Sequence, residues 1–352
     1  MIDTDEKLER LLPEIDGAPW IAVDTEADSL HSYPEKLCLI QVSIPGQDEL
    51  IDPLAEIDLA PLWEVFKGRE LIFHGADYDL RLFSKHHDFA PCKIFDTMIA
   101  ARLLGIEAFG LATLVGNYLG QELEKGPQKS DWSKRPLTPR MEEYARNDTR
   151  VLRALSEHLR ERLVDKGRLP WLEECCAVLI SDNSKVVPPD PDRVWRIKYS
   201  SKLSPPALAV LRDVWGWREE EAKNSNKPPF FIMSHQQLVG LADAAGHGES
   251  FDRMIPRRYS SRRRRALMAA IEKGRGVPPD ERPKLIRGQG YRASEAEKSA
   301  FAKLKAKRDA KAKELEIDPT LIASKDTLEQ LTRNDSDGVW DRLMSWQRDL
   351  LS

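Results

Sequence analysis

Two carboxylates stand two residues apart, at Asp24 and Glu26, where an apolar run that begins at Trp20 ends. The run predicts a buried strand, and because side chains alternate across a strand, both carboxylates face the same side. Two adjacent acids repel each other and are costly to bury unless a cation lies between them. The pair therefore indicates a cation site. A chance Asp-x-Glu is expected in a chain of this charge content, so the pair needs support from later acids.

Asp79 stands at the start of a predicted helix, directly after a predicted strand. Its helical neighbours at i+3 and i+4 are Leu82 and Phe83, so its carboxylate faces the packed side. Asp77 competes for the same role, but it has Arg81 at i+4, which predicts an ordinary surface ion pair. We therefore select Asp79.

A long helix is predicted from Pro139 to about Val164, with Thr138 as its N-cap and the proline at its first position. Tyr144 and Asp148 are four residues apart on this helix and share a face. Alone, this spacing more often means a surface tyrosine beside an acid.

The four acids, Asp24, Glu26, Asp79 and Asp148, could converge on a pair of divalent cations. Hard cations prefer carboxylate oxygens, and no set of His or Cys ligands accompanies these acids, so Mg²⁺ or Mn²⁺ is favoured over Zn²⁺. Two such ions ~3.5–4 Å apart would straddle a phosphodiester and stabilise both the attacking and the leaving oxygen. The predicted chemistry is therefore phosphodiester hydrolysis.

The predicted elements that position these acids form a mixed sheet with flanking helices. Three strands in quick succession predict an antiparallel meander, which strands alternating with helices follow. This pattern is compatible with a ribonuclease-H-like fold. A polar loop, 122–135, precedes the long helix. The predicted strands are 20–24, 37–44, 49–52, 71–73 and 93–95, and the other predicted helices are 7–12, 59–67, 96–104, 111–119 and one that begins at Ala76.

The second half of the chain is predicted to be helical and to contain a repeat. Trp217-Arg218-Glu219 matches Lys307-Arg308-Asp309, and the matches continue to Leu241 and Leu331 at a constant offset of 90 residues. This register indicates two copies of one small helical module. The predicted organisation is a catalytic domain at 1–180, a linker at 181–192, a first module at 193–275, a basic linker at 276–293 and a second module at 294–352.

Length and composition exclude several classes of protein. With 352 residues the chain is too long for one typical core, so two or three domains are expected. Hydrophobic residues make up 41%, mean hydropathy is −0.51, and no apolar run is long enough to span a membrane. The acidic N-terminus does not resemble a signal peptide. The four cysteines predict reduced thiols in a cytoplasmic protein.

The net charge of −4 hides an asymmetry between the two halves. Residues 1–150 carry 16 Lys and Arg against 28 Asp and Glu, whereas residues 151–352 carry 38 against 30. This bias favours a metal-using catalytic domain joined to a polyanion-binding one, although two solvated surfaces of opposite sign would give the same totals. The most basic stretch, 253–287, is centred on Arg262, Arg263, Arg264 and Arg265.

The order of these motifs resembles one enzyme family. Asp-x-Glu, then Asp-Leu after a strand, then Tyr-x-x-x-Asp are typical of the DEDDy exonucleases, and the chain is most similar to the ribonuclease D family. The repeated modules resemble HRDC domains, through residues 195–198 and 217–219 of the first copy. The resemblance covers nearly the whole chain. Three further stretches carry it, at 96–100, 128–137 and 144–148.

The resemblance implies an α/β ribonuclease-H-like exonuclease domain followed by two small all-α HRDC-like bundles. It implies a 3′-5′ exoribonuclease that trims structured RNA such as tRNA precursors and releases nucleoside 5′-monophosphates. Asp24, Glu26, Asp79 and Asp148 would hold two divalent metal ions, Mg²⁺ or Mn²⁺. Tyr144 would orient the attacking water, because a tyrosine with an ordinary pKa of ~10 is a poor base at pH 7.

Two further groups could contact the nucleic acid. Trp132 could stack a base, a contact worth ~1–3 kcal/mol, or it could pack under the polar loop. The run from Arg262 to Arg265 could bind phosphates, but a solvated loop or a nuclear address would look the same.

Three other positions near the motifs have expected roles. Asp96 is expected to cap a helix, and His74 is expected to be a satisfied strand-end histidine. The family often follows Asp-Thr-Glu with Phe, whereas this chain has Ala27-Asp28, at positions that would line the pocket for the 3′-terminal nucleotide.

Two alternatives differ from an exoribonuclease. A 3′-5′ DNA exonuclease would use the same site, because the metal site does not read the 2′-OH. A catalytically inactive nucleic-acid-binding adaptor is disfavoured, because all four acids and Tyr144 are present. The expected partner is RNA with a single-stranded 3′ end, with no membrane and a monomeric chain.

Overall fold

The structure is a computed structural model that describes residues 1–124, 126–185, 188–286, 291–333 and 338–352. The chain forms two compact units, each built from separated segments. The first comprises Met1–Ala27, Leu37–Val186 and Arg292–Ser352, and the second comprises Asp28–Lys36 and Val187–Tyr291. The boundaries of the predicted domains stay predictions, and parts of both predicted linkers lie outside the described residues.

Five strands form one sheet in the first unit: β1 (Ile21–Ala27), β2 (Leu37–Ile44), β3 (Gln47–Ile51), β4 (Glu70–Phe73) and β5 (Lys93–Asp96). Their order is β3-β2-β1-β4-β5. The first three strands pair antiparallel, whereas β4 is parallel to both β1 and β5, so the predicted meander and mixed sheet are confirmed. Every residue of β2 is buried, because inner strands of such a sheet are covered on both faces.

In the described part of the chain before residue 186, the helices that accompany these strands are α1 (Asp5–Gly17), α2 (Ala60–Lys67), α3 (Asp77–His87), α4 (Thr97–Leu103), α5 (Leu111–Leu119), α6 (Pro139–Arg150), α7 (Leu152–Asp165) and α8 (Leu169–Asn183). The predicted N-cap is confirmed, since the Thr138 side chain accepts a hydrogen bond from the Met141 N–H. The prediction of a single long helix was wrong, because the helix is interrupted at Val151, between α6 and α7. None of the helices in the described part of the chain is long and apolar enough to cross a membrane.

The C-terminal segment packs onto the same core as the sheet. It contains α13 (Glu295–Leu315), α14 (Pro319–Ile322), α15 (Lys325–Leu331) and α16 (Ser345–Leu351). The buried Arg168 donates hydrogen bonds to the carbonyls of Leu103 and Leu315, each at 2.7 Å. The rings of Trp171 and Trp346 stack with centroids 4.7 Å apart. Removing the chain beyond residue 181 would therefore uncover part of this core, so experiments need the full chain.

The second unit contains a helical bundle of α9 (Pro205–Ser225), α10 (Pro229–Ile232), α11 (His235–Gly246) and α12 (Ser261–Arg275). Both α11 and α12 approach α9 so closely that only glycine fits at Gly246 and Gly274. A Cβ atom at either position would lie 2.5 Å from the α9 backbone. Residues 28–36 are held on this bundle by Tyr33. Its hydroxyl donates to the Glu219 carboxylate at 2.5 Å, and its N–H donates to the Asn226 side chain at 3.1 Å.

The repeat seen in the sequence recurs in the helices. Glu295 follows Pro205, Pro319 follows Pro229 and Lys325 follows His235, each by 90 residues, as the first residues of corresponding helices. Both α9 and α13 are 21 residues long and end in a left-handed C-cap, at Asn226 and Glu316. That the second copy is itself an HRDC-like bundle stays a prediction.

Candidate active site

The acidic cluster begins on β1, the central strand of the sheet. Asp24 and Glu26 lie on one face of this strand, because side chains alternate along it. One carboxylate oxygen from each of Asp24, Glu26 and Asp148 lies within 4.8 Å of the other two. Three of the four predicted metal ligands are therefore brought together, although Asp148 lies on α6, far away in sequence.

Asp79 lies in the first turn of α3 and is buried, with 5% of its surface exposed. Its Oδ1 accepts a hydrogen bond from the Thr25 hydroxyl at 2.5 Å, and its charge acts on Asp24 and Glu26. Asp77 is exposed and pairs with Arg81 at 2.8 Å. The choice of Asp79 over Asp77 as the inward-facing acid is confirmed.

Asp96 is fully buried and anchors the turn from which α3 begins. It caps α4 as predicted, accepting hydrogen bonds from the N–H groups of Met98 and Ile99 at 2.8 and 3.1 Å. It also accepts from the N–H groups of Gly75 and Ala76 at 3.1 and 2.8 Å, two bonds that the local sequence does not reveal. Asp96 therefore positions Asp79 through the backbone.

The cluster opens into a cavity of about 950 Å³, whose lining includes Asp24, His74, Tyr144 and Asp148. His74 hydrogen-bonds to the Thr97 hydroxyl at 2.9 Å, so it has the partner expected of a strand-end histidine. The start of α5 and the polar loop before α6 complete the wall.

Tyr144 lies at the edge of this cavity. Asp148 and the Gln128 side chain lie close enough to its hydroxyl to act on its pKa. The backbone at Gly126 lies against the tyrosine ring, where a Cβ atom would come within 1.5 Å of a ring carbon. The sequence did not identify Gln128 as a site residue, although it begins one of the stretches that resemble the family.

Burial raises the pKa of every acid in the cluster, and repulsion by the other acids adds to the rise at Asp24 and Glu26. Burial, together with the charges of Asp79, Asp148 and Glu26, raises the pKa of Asp24 well above its ordinary value. Burial and the charges of Asp148 and Asp79 raise the pKa of Glu26 to about 9. Burial also raises the pKa of Asp79 and of Asp148 to about 6 each. The cluster therefore needs positive charge before all four acids can ionise near neutral pH.

The donor set fits a hard divalent cation. Clustered carboxylate oxygens are the ligands that Mg²⁺ and Mn²⁺ prefer, and their mutual repulsion is what such an ion would relieve. Asp24, Glu26 and Asp148 are the residues that would hold metal there, and a ligand role for Asp79 stays a prediction.

The predicted stacking role of Trp132 is wrong. Its side chain is fully buried in a cluster with Leu39, Leu50 and Met141, and its ring centroid lies 6.2 Å from that of Tyr144. No face of the indole is free for a base, so Trp132 supports Tyr144 by packing.

The expectation that Ala27-Asp28 lines the nucleotide pocket stays a prediction. Neither residue is part of the cavity lining. The strand register shifts between Glu26 and Ala27, and Asp28 turns into a fully buried position where it accepts the Lys36 N–H at 2.7 Å. Asp28 therefore closes the base of the segment 28–36, which belongs to the second unit.

The four arginines at the start of α12 are partly engaged within the second unit. Arg262 and Arg263 each contact the buried Glu221 carboxylate at 2.8 Å. Arg264 donates to the carbonyl of Pro256 at 3.0 Å, whereas Arg265 is exposed. A phosphate-binding role for this run stays a prediction, and it has less free charge than the sequence suggests.

Comparison with known proteins identifies the class first. Residues 1–164 match the 3′-5′ exonuclease family, and residues 207–245 match the HRDC domain. The mixed sheet, the acidic cavity and the helical bundle are therefore those of a 3′-5′ exonuclease that carries an HRDC domain.

Whole-chain relatives then identify the family. The chain is 33% identical to Ribonuclease D of Jannaschia sp. (strain CCS1), over 96% of this chain and 90% of that protein. It is 32% identical to Ribonuclease D of Granulibacter bethesdensis, over 99% of this chain and 90% of that protein. The crystal structure of Escherichia coli RNase D, an exoribonuclease involved in structured RNA processing, matches with a TM-score of 0.75 and 27% identity, over 100% of this chain and 98% of that one. The chain belongs to the ribonuclease D family and is a 3′-5′ exoribonuclease, as the sequence predicted.

Proposed function

We propose that this exoribonuclease trims the 3′ ends of structured RNA such as tRNA precursors, using two divalent ions and releasing nucleoside 5′-monophosphates. The observation that carries the proposal is the convergence of Asp24, Glu26 and Asp148 within 4.8 Å of one another, with Asp24 and Asp148 in the lining of the cavity. A cavity of about 950 Å³ has room for the terminal nucleotide of a strand.

The four acids act as ligands in this proposal. Asp24, Glu26, Asp79 and Asp148 would hold Mg²⁺ or Mn²⁺. Ions bound there supply activation of water near neutral pH and neutralisation of charge at the departing 3′ oxygen. Asp96 and Thr25 fix the position of Asp79, because one anchors the start of its helix and the other donates to its carboxylate.

Tyr144 positions a reactant and does not act as a base. Burial and the charge of Asp148 raise its pKa above the ordinary value of 10, so the hydroxyl keeps its proton at neutral pH. The hydroxyl lies beside Asp148 and Gln128, which both act on its pKa. A hydroxyl beside the acids is suited to orient the attacking water or the scissile phosphate.

The second unit would hold the body of the RNA. The chain would act as a monomer. The second unit, residues 28–36 and 187–291, carries 21 Lys and Arg against 14 Asp and Glu, whereas the rest of the chain carries 33 against 44 and repels a polyanion at long range. Each phosphate that a cation contacts steepens the salt dependence of binding, by a slope of ~0.7 on a single strand.

The test uses a tRNA precursor with a 3′ extension, a short unstructured RNA and DNA of matched sequence, with the full chain throughout. We expect kcat/KM to be highest for the precursor, and its KM to rise more steeply with salt than that of the short RNA. Equal salt slopes for the two RNAs would refute a role for the second unit in holding RNA. Equal kcat/KM for RNA and DNA would refute the preference for RNA.

A further inference from the structure

The second unit contains a cavity of about 340 Å³ next to the conspicuous Trp-Arg-Ile-Lys sequence at its start. No acid is present among the described residues that line it, whereas two cations and a tyrosine are. This volume lies within the range of small-ligand sites. The lining is formed by residues 196–201 together with Leu208, Leu285 and Ile286.

Arg196 is fixed at the edge of this cavity. Its guanidinium lies over the ring of the buried Trp195, 4.4 Å from the centroid, and donates to the Lys284 carbonyl at 2.9 Å. One face of the guanidinium contacts the ring, and one of its nitrogens donates the hydrogen bond. The guanidinium is therefore held in one orientation at low entropic cost for binding an anion.

Tyr199 is the unusual residue of the cavity. It is 55% exposed, and its φ of 77° is left-handed, a conformation that a bulky side chain adopts at a cost of about 1–2 kcal/mol. Among the described non-glycine residues with positive φ, it is the sole aromatic. Burial does not offset this cost, and strain of this kind is concentrated at functional positions. Lys198 Nζ lies 5.2 Å from the centroid of the tyrosine ring.

We propose that this cavity binds one unpaired nucleotide of the RNA substrate. The exposed ring of Tyr199 stacks on the base, and Lys198 and Arg196 pair with the flanking phosphates. An aromatic face beside two cations is the combination that binds single strands without reading their sequence. The inference rests on the proposed role of the second unit in holding RNA.

The test measures the affinity of the full chain for a fluorescent single-stranded oligoadenylate RNA by anisotropy, in an Asp24→Asn background that prevents degradation. Tyr199→Gly removes the ring and relieves the strained backbone. We expect the dissociation constant to rise by about 5- to 150-fold while Tm is maintained or raised. Lys198→Ala should lower the salt slope of RNA binding by ~0.7. Lys202 is an exposed cation outside the lining, so Lys202→Ala should leave the stacking contribution to RNA affinity unchanged.

Two conservative variants separate stacking from packing. Tyr199→Phe keeps an aromatic face and should bind as the parent does, whereas Tyr199→Leu keeps apolar bulk alone and should bind as weakly as Tyr199→Gly. If the leucine variant binds as tightly as the phenylalanine variant, or if all three bind within about a factor of two of the parent, the cavity is not a nucleotide site. Failure of the parent itself to bind RNA would instead refute the role of the second unit.

Discussion

Replacing Glu26 by Gln should stabilise the metal-free protein at neutral and alkaline pH. The folded protein holds the pKa of Glu26 at about 9, against an ordinary value of 4.5. Since the folded-state pKa is the higher one, this group stabilises the fold fully only below pH 4.5, and that contribution is lost as pH rises toward 9. At pH 7.5 the loss reaches about 4 kcal/mol, at about 1.4 kcal/mol per pH unit.

This figure is an upper bound, because the carboxylate is partly exposed and its neighbours share the proton. About 1–3 kcal/mol is the expected gain for Glu26→Gln, which corresponds to a Tm higher by about 2–10 °C in a unit of this size. Differential scanning calorimetry in EDTA at pH 8 and at pH 5 measures it. The gain should appear at pH 8 and be nearly absent at pH 5. Mg²⁺ should raise the Tm of the parent far more than that of the variant.

The matched control is Asp77→Asn, which removes an exposed carboxylate from the same unit. Its free energy of unfolding should change by no more than the contribution of a surface ion pair, about 0.3–0.5 kcal/mol. An unchanged or lower Tm for Glu26→Gln at pH 8 in EDTA would show that the raised pKa of Glu26 does not destabilise the metal-free fold. An equal effect of Mg²⁺ on parent and variant would show that Glu26 does not hold metal.

Three other substitutions test named roles. Asp79→Asn should abolish nuclease activity while circular dichroism shows a folded protein, and Asp77→Asn should keep the parent rate; the reverse pattern would contradict the assignment. Tyr144→Phe should lower single-turnover kcat by ~10²–10⁴, because the ring remains and the positioning hydroxyl is lost, and an unchanged rate would reduce Tyr144 to packing. Trp132→Ala should cost about 3–5 kcal/mol of unfolding free energy in urea denaturation, and full stability with weakened RNA affinity would restore the stacking role.

Local patterns predicted most of the first unit and the inward-facing acids. Alternation along β1 placed Asp24 and Glu26 on one face, and the helical neighbours of Asp79 separated it from Asp77. The convergence of Asp148 with these acids depends on long-range packing, which local spacing does not show. Its prediction was supported by the order of motifs that resembles the family. The burial of Trp132 also depends on residues far away in sequence, at Leu39 and Leu50, which local spacing does not reveal.

The division into units was not predictable from composition. Residues 181–192 are polar and rich in proline, so the sequence predicts a domain boundary there, and that boundary stays a prediction. The sequence did not predict the contacts of Arg168 with Leu315 and of Trp171 with Trp346, which join the C-terminal segment to the first unit. Such contacts join surfaces whose complementarity appears only after each element has folded.

The central claim is that this acidic cluster removes nucleotides from the 3′ end of RNA. The most direct measurement follows an RNA labelled at its 5′ end, with a single-stranded 3′ tail, during incubation with Mg²⁺, alongside Asp24→Asn and a sample in EDTA. The account predicts a ladder of shortening products that retain the label, nucleoside 5′-monophosphates in the soluble fraction, and no products in either control. Loss of the label as a mononucleotide, internal cuts, or undiminished activity of Asp24→Asn would contradict it.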